Sequence, residues 1–240
     1  MKKEEYIKVG ISVGDLNGIG TEIILKTFED SRMLEFCTPI IFASIKTMSF
    51  LKKHFNSSIN FHGINDINQV VEGKVNVFNV WKDNVNIEFG KEDQFIGQLA
   101  VKSLEKATEA LKNDTIDVLV TAPINKLTIQ SDSFKFPGHT NYLAKELGGT
   151  SLMFMVTDEL KVGLLTDHVP VKDVAKHITP KLITEKVETV YESLVKDFKI
   201  NKPRIAILGI NPHAGDNGVI GEEDDKVVKP TLEKIREKGK

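Results

Sequence analysis

The stretch KVGISVGDLNGIGTE, residues 8–22, decides the fold class. Residues 8–13 are an apolar β-type run, residues 14–20 are a glycine-rich loop, and a helix is predicted to begin near Thr21 and Glu22. Such a loop places backbone N–H groups at a helix N-terminus, where an anion is favoured. Its pattern, G-D-x-x-G-I-G, is neither the dinucleotide G-x-G-x-x-G nor a Walker P-loop. An anion-binding loop and a plain tight turn both remain open.

The rest of the chain continues the alternation of strands and helices. Strands are predicted at 39–43, 75–80, 118–120 and 204–208, and a strand pair at 152–156 and 162–165. Helices are predicted up to about residue 55, over 95–112 and 180–198, and from the acidic run 222–225 to the basic residues near the end of the chain.

This alternation predicts an α/β protein with a largely parallel sheet between helices. The loop after Thr121 is the favoured boundary between two subdomains, residues 1–122 and 123–240. The first would carry the glycine-rich loop 14–20, and the second would carry the three histidines in glycine- or proline-punctuated loops.

Composition excludes several classes of protein. A formal charge of −2 argues against a nucleic-acid partner, which needs clustered basic residues. The single cysteine, Cys37, excludes an internal disulfide framework and fits a reducing compartment. The sequence shows neither a signal peptide nor an apolar run long enough to cross a bilayer, so we expect a cytoplasmic protein without a membrane partner.

Three histidines occupy loops punctuated by glycine or proline. They are His139 in FPGHT, His168 in TDHVP and His213 in LGINPHAG. Imidazole can bind a divalent metal or move a proton near neutral pH. Their spacing matches no local metal motif, and each could instead be a solvated loop residue, with Thr140 capping the helix predicted after His139. Structural or solvent-facing roles are expected for the histidines at 54, 62 and 177.

Five segments together resemble the 4-hydroxythreonine-4-phosphate dehydrogenase family of pyridoxal phosphate biosynthesis. They are GDLNGIGTE (14–22), TAPINK (121–126), FPGHT (136–140), TDHVP (166–170) and LGINPHAG (208–215). They occur in the family's order and span nearly the whole chain. Leu16 stands where the family often has proline, a departure confined to a turn.

The resemblance implies an α/β/α sandwich of the isocitrate and isopropylmalate dehydrogenase type, with two subdomains and a cleft between them. Proteins of that type bind NAD without a Rossmann fingerprint. It further implies oxidation of 4-phosphooxy-L-threonine with NAD or NADP, followed by loss of CO₂ to give 3-amino-2-oxopropyl phosphate.

The resemblance also implies roles for particular residues. His168 and His213 match ligands of a divalent metal (zinc, magnesium or cobalt) that is held by histidines from both subunits of a homodimer. His139 and Thr140 match substrate-binding residues. Lys126 could supply a cation or take part in proton transfer, or it could be a surface lysine. The residues that bind NAD or NADP are unassigned.

Family sequences continue beyond the position of Lys240, and the resemblance places the third metal histidine and several phosphate-binding basic residues in that portion. As written, the chain is expected to have two of three metal ligands and little or no turnover. Two alternatives stay open within this resemblance: a dehydrogenase of 4-phospho-erythronate or 4-phospho-threonate, and a non-catalytic phosphate- or metal-binding homologue. A phosphate acyltransferase is a more distant one.

Overall fold

A five-stranded parallel sheet forms the centre of the first part of the chain. The computed structural model describes residues 6–237 and 239. The sheet has the order β3-β4-β2-β1-β5, and all neighbouring strands are parallel. Its strands are β1 (Ile7–Ser12), β2 (Cys37–Ala43), β3 (Phe61–Ile64), β4 (Val75–Asn79) and β5 (Val118–Thr121). The predicted α/β class with a parallel sheet is therefore confirmed.

Helices cover both faces of this sheet. They are α1 (Gly20–Glu29), α2 (Ile45–His54), α3 (Gln94–Lys112) and α4 (His139–Leu147). Successive side chains of a strand point to opposite faces. Ile41 of β2 accordingly packs in one core with residues of α1 and α2, whereas Phe42 packs with Ala107 and Ala110 of α3. This is the expected sandwich of a sheet between two helical layers.

A buried serine fixes α3 against the two central strands. The Ser103 hydroxyl accepts a hydrogen bond from Val13 N at 3.0 Å and donates one to Phe42 O at 2.5 Å. Both bonds are shielded from water, since Ser103 is fully buried. The register of α3 on the sheet is thus set by polar contacts as well as by apolar packing.

Contacts divide the chain into two compact units, Met1–Gly149 and Thr150–Lys240. This division falls later than the boundary expected after Ala122. The reason is that the segment after β5 packs on α3: Ile129, Phe134 and Tyr142 share a core with Ala100, Val101 and Leu104.

The second unit contains a short hairpin and three helices. β6 (Phe154–Val156) and β7 (Lys161–Gly163) are antiparallel, which confirms the predicted strand pair. The helices are α5 (Val174–His177), α6 (Pro180–Lys196) and α7 (Lys229–Glu237), and a π-type turn at Asp224–Val228 leads into α7. No helix in residues 6–237 has the length and apolar character needed to cross a membrane.

Two expectations about strands were wrong. Residues 204–208 do not form a strand: Ile205 and Ile207 turn towards the core of the second unit in the alternating manner of a strand, but no strand pairs with them among the described residues. Conversely, β3 was not predicted, because Phe-His-Gly-Ile is weakly β-forming. Pairing with β4 creates it.

Two glycines test how tightly the glycine-rich loop is packed. Gly14 and Gly73 both have positive φ, +65° and +71°, but a Cβ on Gly14 would lie 2.1 Å from Pro123 O, whereas one on Gly73 would meet nothing within 4 Å. We expect Gly73→Ala to lower the free energy of unfolding by about 1 kcal/mol through the backbone conformation alone. Gly14→Ala should cost clearly more. Equal losses in urea denaturation would contradict this packing.

Candidate functional site

The first two motifs of the sequence lie side by side. β1 and β5 are parallel neighbours, so the loops that follow them leave the same edge of the sheet. Asp15 N donates a hydrogen bond to Pro123 O at 2.8 Å, and Gly14 permits this approach because it has no side chain. The glycine-rich loop and the TAPINK segment are therefore one structural assembly.

Asn17 fastens the glycine-rich loop from its other side. Its amide donates to Lys91 O at 3.0 Å and accepts from Glu88 N at 2.9 Å, and the side chain is buried. The pKa of Asp15 is raised, mainly by burial and further by the negative charge of Asp93. A hydrogen bond from Asn17 N lowers it in part. Much of the loop's polar capacity is thus satisfied within the protein.

Lys126 lies beside the N-terminus of α4, the helix that begins with His139. The residue before His139, Gly138, offers no side chain to cap this helix. A Cβ placed on Gly138 would lie 3.8 Å from Cε of Lys126, so the lysine side chain passes beside the free helix end. The alternative in which Thr140 caps the helix is wrong, because Thr140 lies inside the first turn.

The imidazole of His139 carries an unsatisfied atom. Its Nε2 is buried and makes no hydrogen bond within the described part of the chain. Burial lowers the pKa of His139, because the charged form is desolvated. The ring is therefore neutral near pH 7, with one nitrogen able to accept a hydrogen bond and the other able to donate one.

Three aromatic rings hold the FPGHT loop in place. Phe134, Phe136 and Tyr142 lie with their ring centroids 5.2–5.3 Å apart, which is the range of favourable aromatic pairs. Burial raises the pKa of Tyr142 to about 12, so the phenol stays protonated. Residues 134–142 thus form a rigid support for His139.

His168 and His213 share an uncommon backbone conformation. Their φ angles are +51° and +53°, in the left-handed region that few residues other than glycine adopt. Both side chains are exposed, and Nδ1 of His168 lies 3.9 Å from Oδ1 of Asp167, too far for a hydrogen bond. Within residues 6–237 no group of three or more His, Cys, Asp or Glu side chains is placed to hold a metal ion.

The loop that carries His213 is left-handed throughout. Every residue from 213 to 218 has a positive φ, including the non-glycine residues Ala214, Asp216 and Asn217. A left-handed residue with a side chain costs roughly 1–2 kcal/mol. Strain of this kind persists only where surrounding contacts enforce it, and it concentrates at functional sites.

Asp224 supplies such contacts, and sequence reasoning missed it. The sequence places the acidic run 222–225 at the start of the last predicted helix, but the Asp224 side chain is buried. It accepts hydrogen bonds from Ile210 N at 2.9 Å and from Asn211 N at 3.0 Å. One signal could have found it: at helical spacing Asp224 shares a face with Val228 and Ile235, which are both buried.

Comparison with solved structures defines the class of protein. The fold matches a 4-hydroxythreonine-4-phosphate dehydrogenase from Burkholderia phymatum with a TM-score of 0.84 and 28% identity, over 98% of this chain and 72% of that one. The architecture is therefore that of an α/β dehydrogenase. The chain belongs to the family described as pyridoxal phosphate biosynthetic protein PdxA, whose model matches residues 35–240.

Individual relatives carry two different names. A 4-hydroxythreonine-4-phosphate dehydrogenase from Bacteroides thetaiotaomicron is 44% identical over 239 residues, which are 99% of this chain and 66% of the relative. A D-threonate 4-phosphate dehydrogenase from Cupriavidus necator is 30% identical over 98% of this chain and 72% of its own length. The chain thus spans about two thirds of the length of these relatives.

The burial of His139 predicts a pH dependence of stability. Its pKa in the folded protein lies below the ordinary value of 6.5, so the unfolded chain binds more protons in that range. The free energy of unfolding should fall as the pH is lowered through 6.5 and below. In His139→Gln this dependence should be weaker. Urea unfolding at several pH values measures it, and identical slopes for the two proteins would refute the assignment.

Proposed function

We propose that the protein is a metal-dependent NAD(P) dehydrogenase of pyridoxal 5′-phosphate biosynthesis. It would oxidise 4-phosphooxy-L-threonine, and loss of CO₂ would then give 3-amino-2-oxopropyl phosphate. Family membership and the name of the 44% identical relative support this reaction. The single structural observation that carries it is the uncapped N-terminus of α4 with Lys126 and His139 beside it.

We assign binding of the phosphorylated substrate to residues of the first unit. The first turn of α4 presents free N–H groups and the positive end of a helix dipole, which favour a phosphate or carboxylate. Thr140 adds an exposed hydroxyl there, and neutral His139 adds a donor or acceptor. Lys126 supplies a positive charge or moves a proton at Nζ.

We assign the metal to residues of the second unit. The imidazoles of His168 and His213 are ligands of a type suited to zinc, and both rings are exposed on left-handed turns. When bound, a divalent zinc, magnesium or cobalt ion would polarise the substrate oxygens and lower the pKa of the alcohol. Asp167 is the candidate partner for the second nitrogen of His168.

Two further features belong to this proposal. The family resemblance favours a homodimer whose subunits share the site, and a third protein ligand would complete the set that catalytic zinc takes. NAD or NADP would serve as the hydride acceptor, at residues that we do not assign. A reducing, cytoplasmic setting suits the single cysteine, Cys37, which is a free thiol.

A second candidate substrate has specific support. The relative from Cupriavidus necator is named a D-threonate 4-phosphate dehydrogenase. Such sugar acids share the phosphate, the secondary alcohol and the carboxylate with 4-phosphooxy-threonine but have a hydroxyl in place of the amino group. The histidine and lysine contacts assigned above address the shared groups, so 4-phospho-threonate and 4-phospho-erythronate are the alternatives to test.

The direct test is NAD(P)H formation by protein expressed from the complete gene. With zinc, magnesium or cobalt present, 4-phosphooxy-L-threonine, 4-phospho-threonate and 4-phospho-erythronate are offered in parallel, and absorbance at the nicotinamide band is followed. We expect turnover of the amino acid, and a large loss in His139→Ala compared with the matched variant His177→Ala. Turnover of 4-phospho-threonate or 4-phospho-erythronate alone would show that the protein is a dehydrogenase of phosphorylated sugar acids instead. Zinc binding without turnover of any substrate would indicate a non-catalytic homologue.

The metal assignment predicts a loss of zinc affinity in His213→Ala, because one imidazole ligand is removed. The Kd for zinc is measured by competition with a chromogenic chelator, and thermal unfolding checks that the fold is intact. The control is His54→Ala, since His54 packs against Phe50, Phe55 and Phe89, outside the assigned site. Its Kd for zinc should equal that of the parent protein. Equal Kd values for His213→Ala and the parent protein would refute the ligand assignment.

A further inference from the structure

We propose that Asp224 is a positioning residue for His213. Its buried carboxylate anchors Ile210 and Asn211 and so holds residues 213–218 in the left-handed conformation in which His213 serves as a metal ligand. This inference rests on the metal role proposed for His213 and adds a residue that supports it from a distance.

The carboxylate of Asp224 anchors the start of the loop through both of its oxygens. Oδ1 accepts from Ile210 N at 2.9 Å, and Oδ2 accepts from Asn211 N at 3.0 Å and from Asn211 Nδ2 at 3.2 Å. Asn211 O in turn accepts from Ala214 N at 3.0 Å. The hydrogen bonds therefore run from Asp224 through Asn211 into the turn that contains His213.

The far side of the loop closes on the same anchor. Ile220 N donates to Gly215 O at 3.0 Å, and a Cβ on Gly215 would lie 2.3 Å from Gly221 O. A Cβ on Gly221 would lie 2.5 Å from Nδ2 of Asn211. Both ends of the loop thus pack around the Asn211 side chain, so a shift of Asn211 displaces the whole turn.

The burial of Asp224 distinguishes it from its acidic neighbours. Glu222 and Asp225 form solvent-accessible ion pairs with Lys226 and Lys229, of the kind that contributes little to stability. Asp224 is only 2% exposed on an otherwise apolar face, where a carboxylate is costly unless it is fully hydrogen-bonded. Burial opposes its ionisation, but the hydrogen bonds from Ile210 and Asn211 outweigh this and keep its pKa below the ordinary value. All of the hydrogen bonds described for this carboxylate go to the start of the loop, at Ile210 and Asn211. If the position served only apolar packing, leucine would fill it better.

The experiment is a double-mutant cycle on zinc affinity, with Asp224→Asn, His213→Ala and the double variant in the full chain. Asp224→Asn places an amide NH₂ among N–H donors, so the loop loses part of its anchor. We expect the Kd for zinc to rise about tenfold or more, as for other residues that orient metal ligands. In the His213→Ala background the same change should have no further effect. Amide hydrogen exchange at Ala214 and Asp216 should accelerate in Asp224→Asn, independently of any metal.

Asp225→Asn is the matched control, since it makes the same chemical change at the neighbouring, half-buried carboxylate, which pairs with Lys229 and not with the loop, and its zinc affinity should equal that of the parent protein. Unchanged affinity and unchanged exchange in Asp224→Asn, or additive effects in the cycle, would overturn the positioning role. An unchanged Kd in His213→Ala would instead overturn the metal assignment, and this inference with it. If Asp224→Asn does not fold, Asn211→Ala removes the Nδ2 donor to Asp224 and the side chain against which Gly221 packs, and it should raise the Kd for zinc and accelerate amide exchange in the same direction.

Discussion

The pairing of β1 with both β2 and β5 is the constraint on which the first unit depends. Parallel strands deliver their following loops to one edge, so the glycine-rich loop and the TAPINK segment must meet there. The hydrogen bond from Asp15 N to Pro123 O is the result. From Pro123 the chain runs on to Lys126, beside the free end of α4, and to Thr128, which packs against Gly97 of α3. The order of the strands in the sheet therefore determines where the proposed substrate-binding residues lie.

Much of this architecture could be predicted from the sequence. The helical spacing of apolar residues in α3 and α6, with the proline at the start of α6, predicted the bounds of both helices to within two residues. The strands β1, β2, β4 and β5 were predicted from short β-branched runs. What could not be predicted depends on partners: β3 exists because β4 pairs with it, and residues 204–208 have strand-like alternation but no described strand beside them.

The candidate site was predicted unevenly for a similar reason. The loop histidines could be singled out because glycine and proline mark turns, and Lys126 came from the family motif. The left-handed φ values of His168 and His213 and the burial of Asp224 could not be predicted. Sequence patterns report which residues are polar, whereas tertiary contacts decide which polar groups are buried and which backbone conformations are enforced. The electrostatics of His139 likewise follow from the packing of its loop.

The contacts around the TAPINK segment are made largely by main-chain atoms. Positions 14, 20 and 97 have no side chain and lie against Pro123, Ala122 and Thr128 respectively. The route of this segment is accordingly set by its main-chain oxygens and the Cβ of Ala122, which pack against positions without side chains. For evolution and for protein engineering, the path of the segment is therefore set independently of the side chains that it exposes. The exposed side chains of Lys126 and Leu127 can be exchanged to suit a different substrate while the path that presents them stays the same. The glycines opposite are closed to variation, and so is Asn125, whose side-chain oxygen accepts hydrogen bonds from the main chain of this turn.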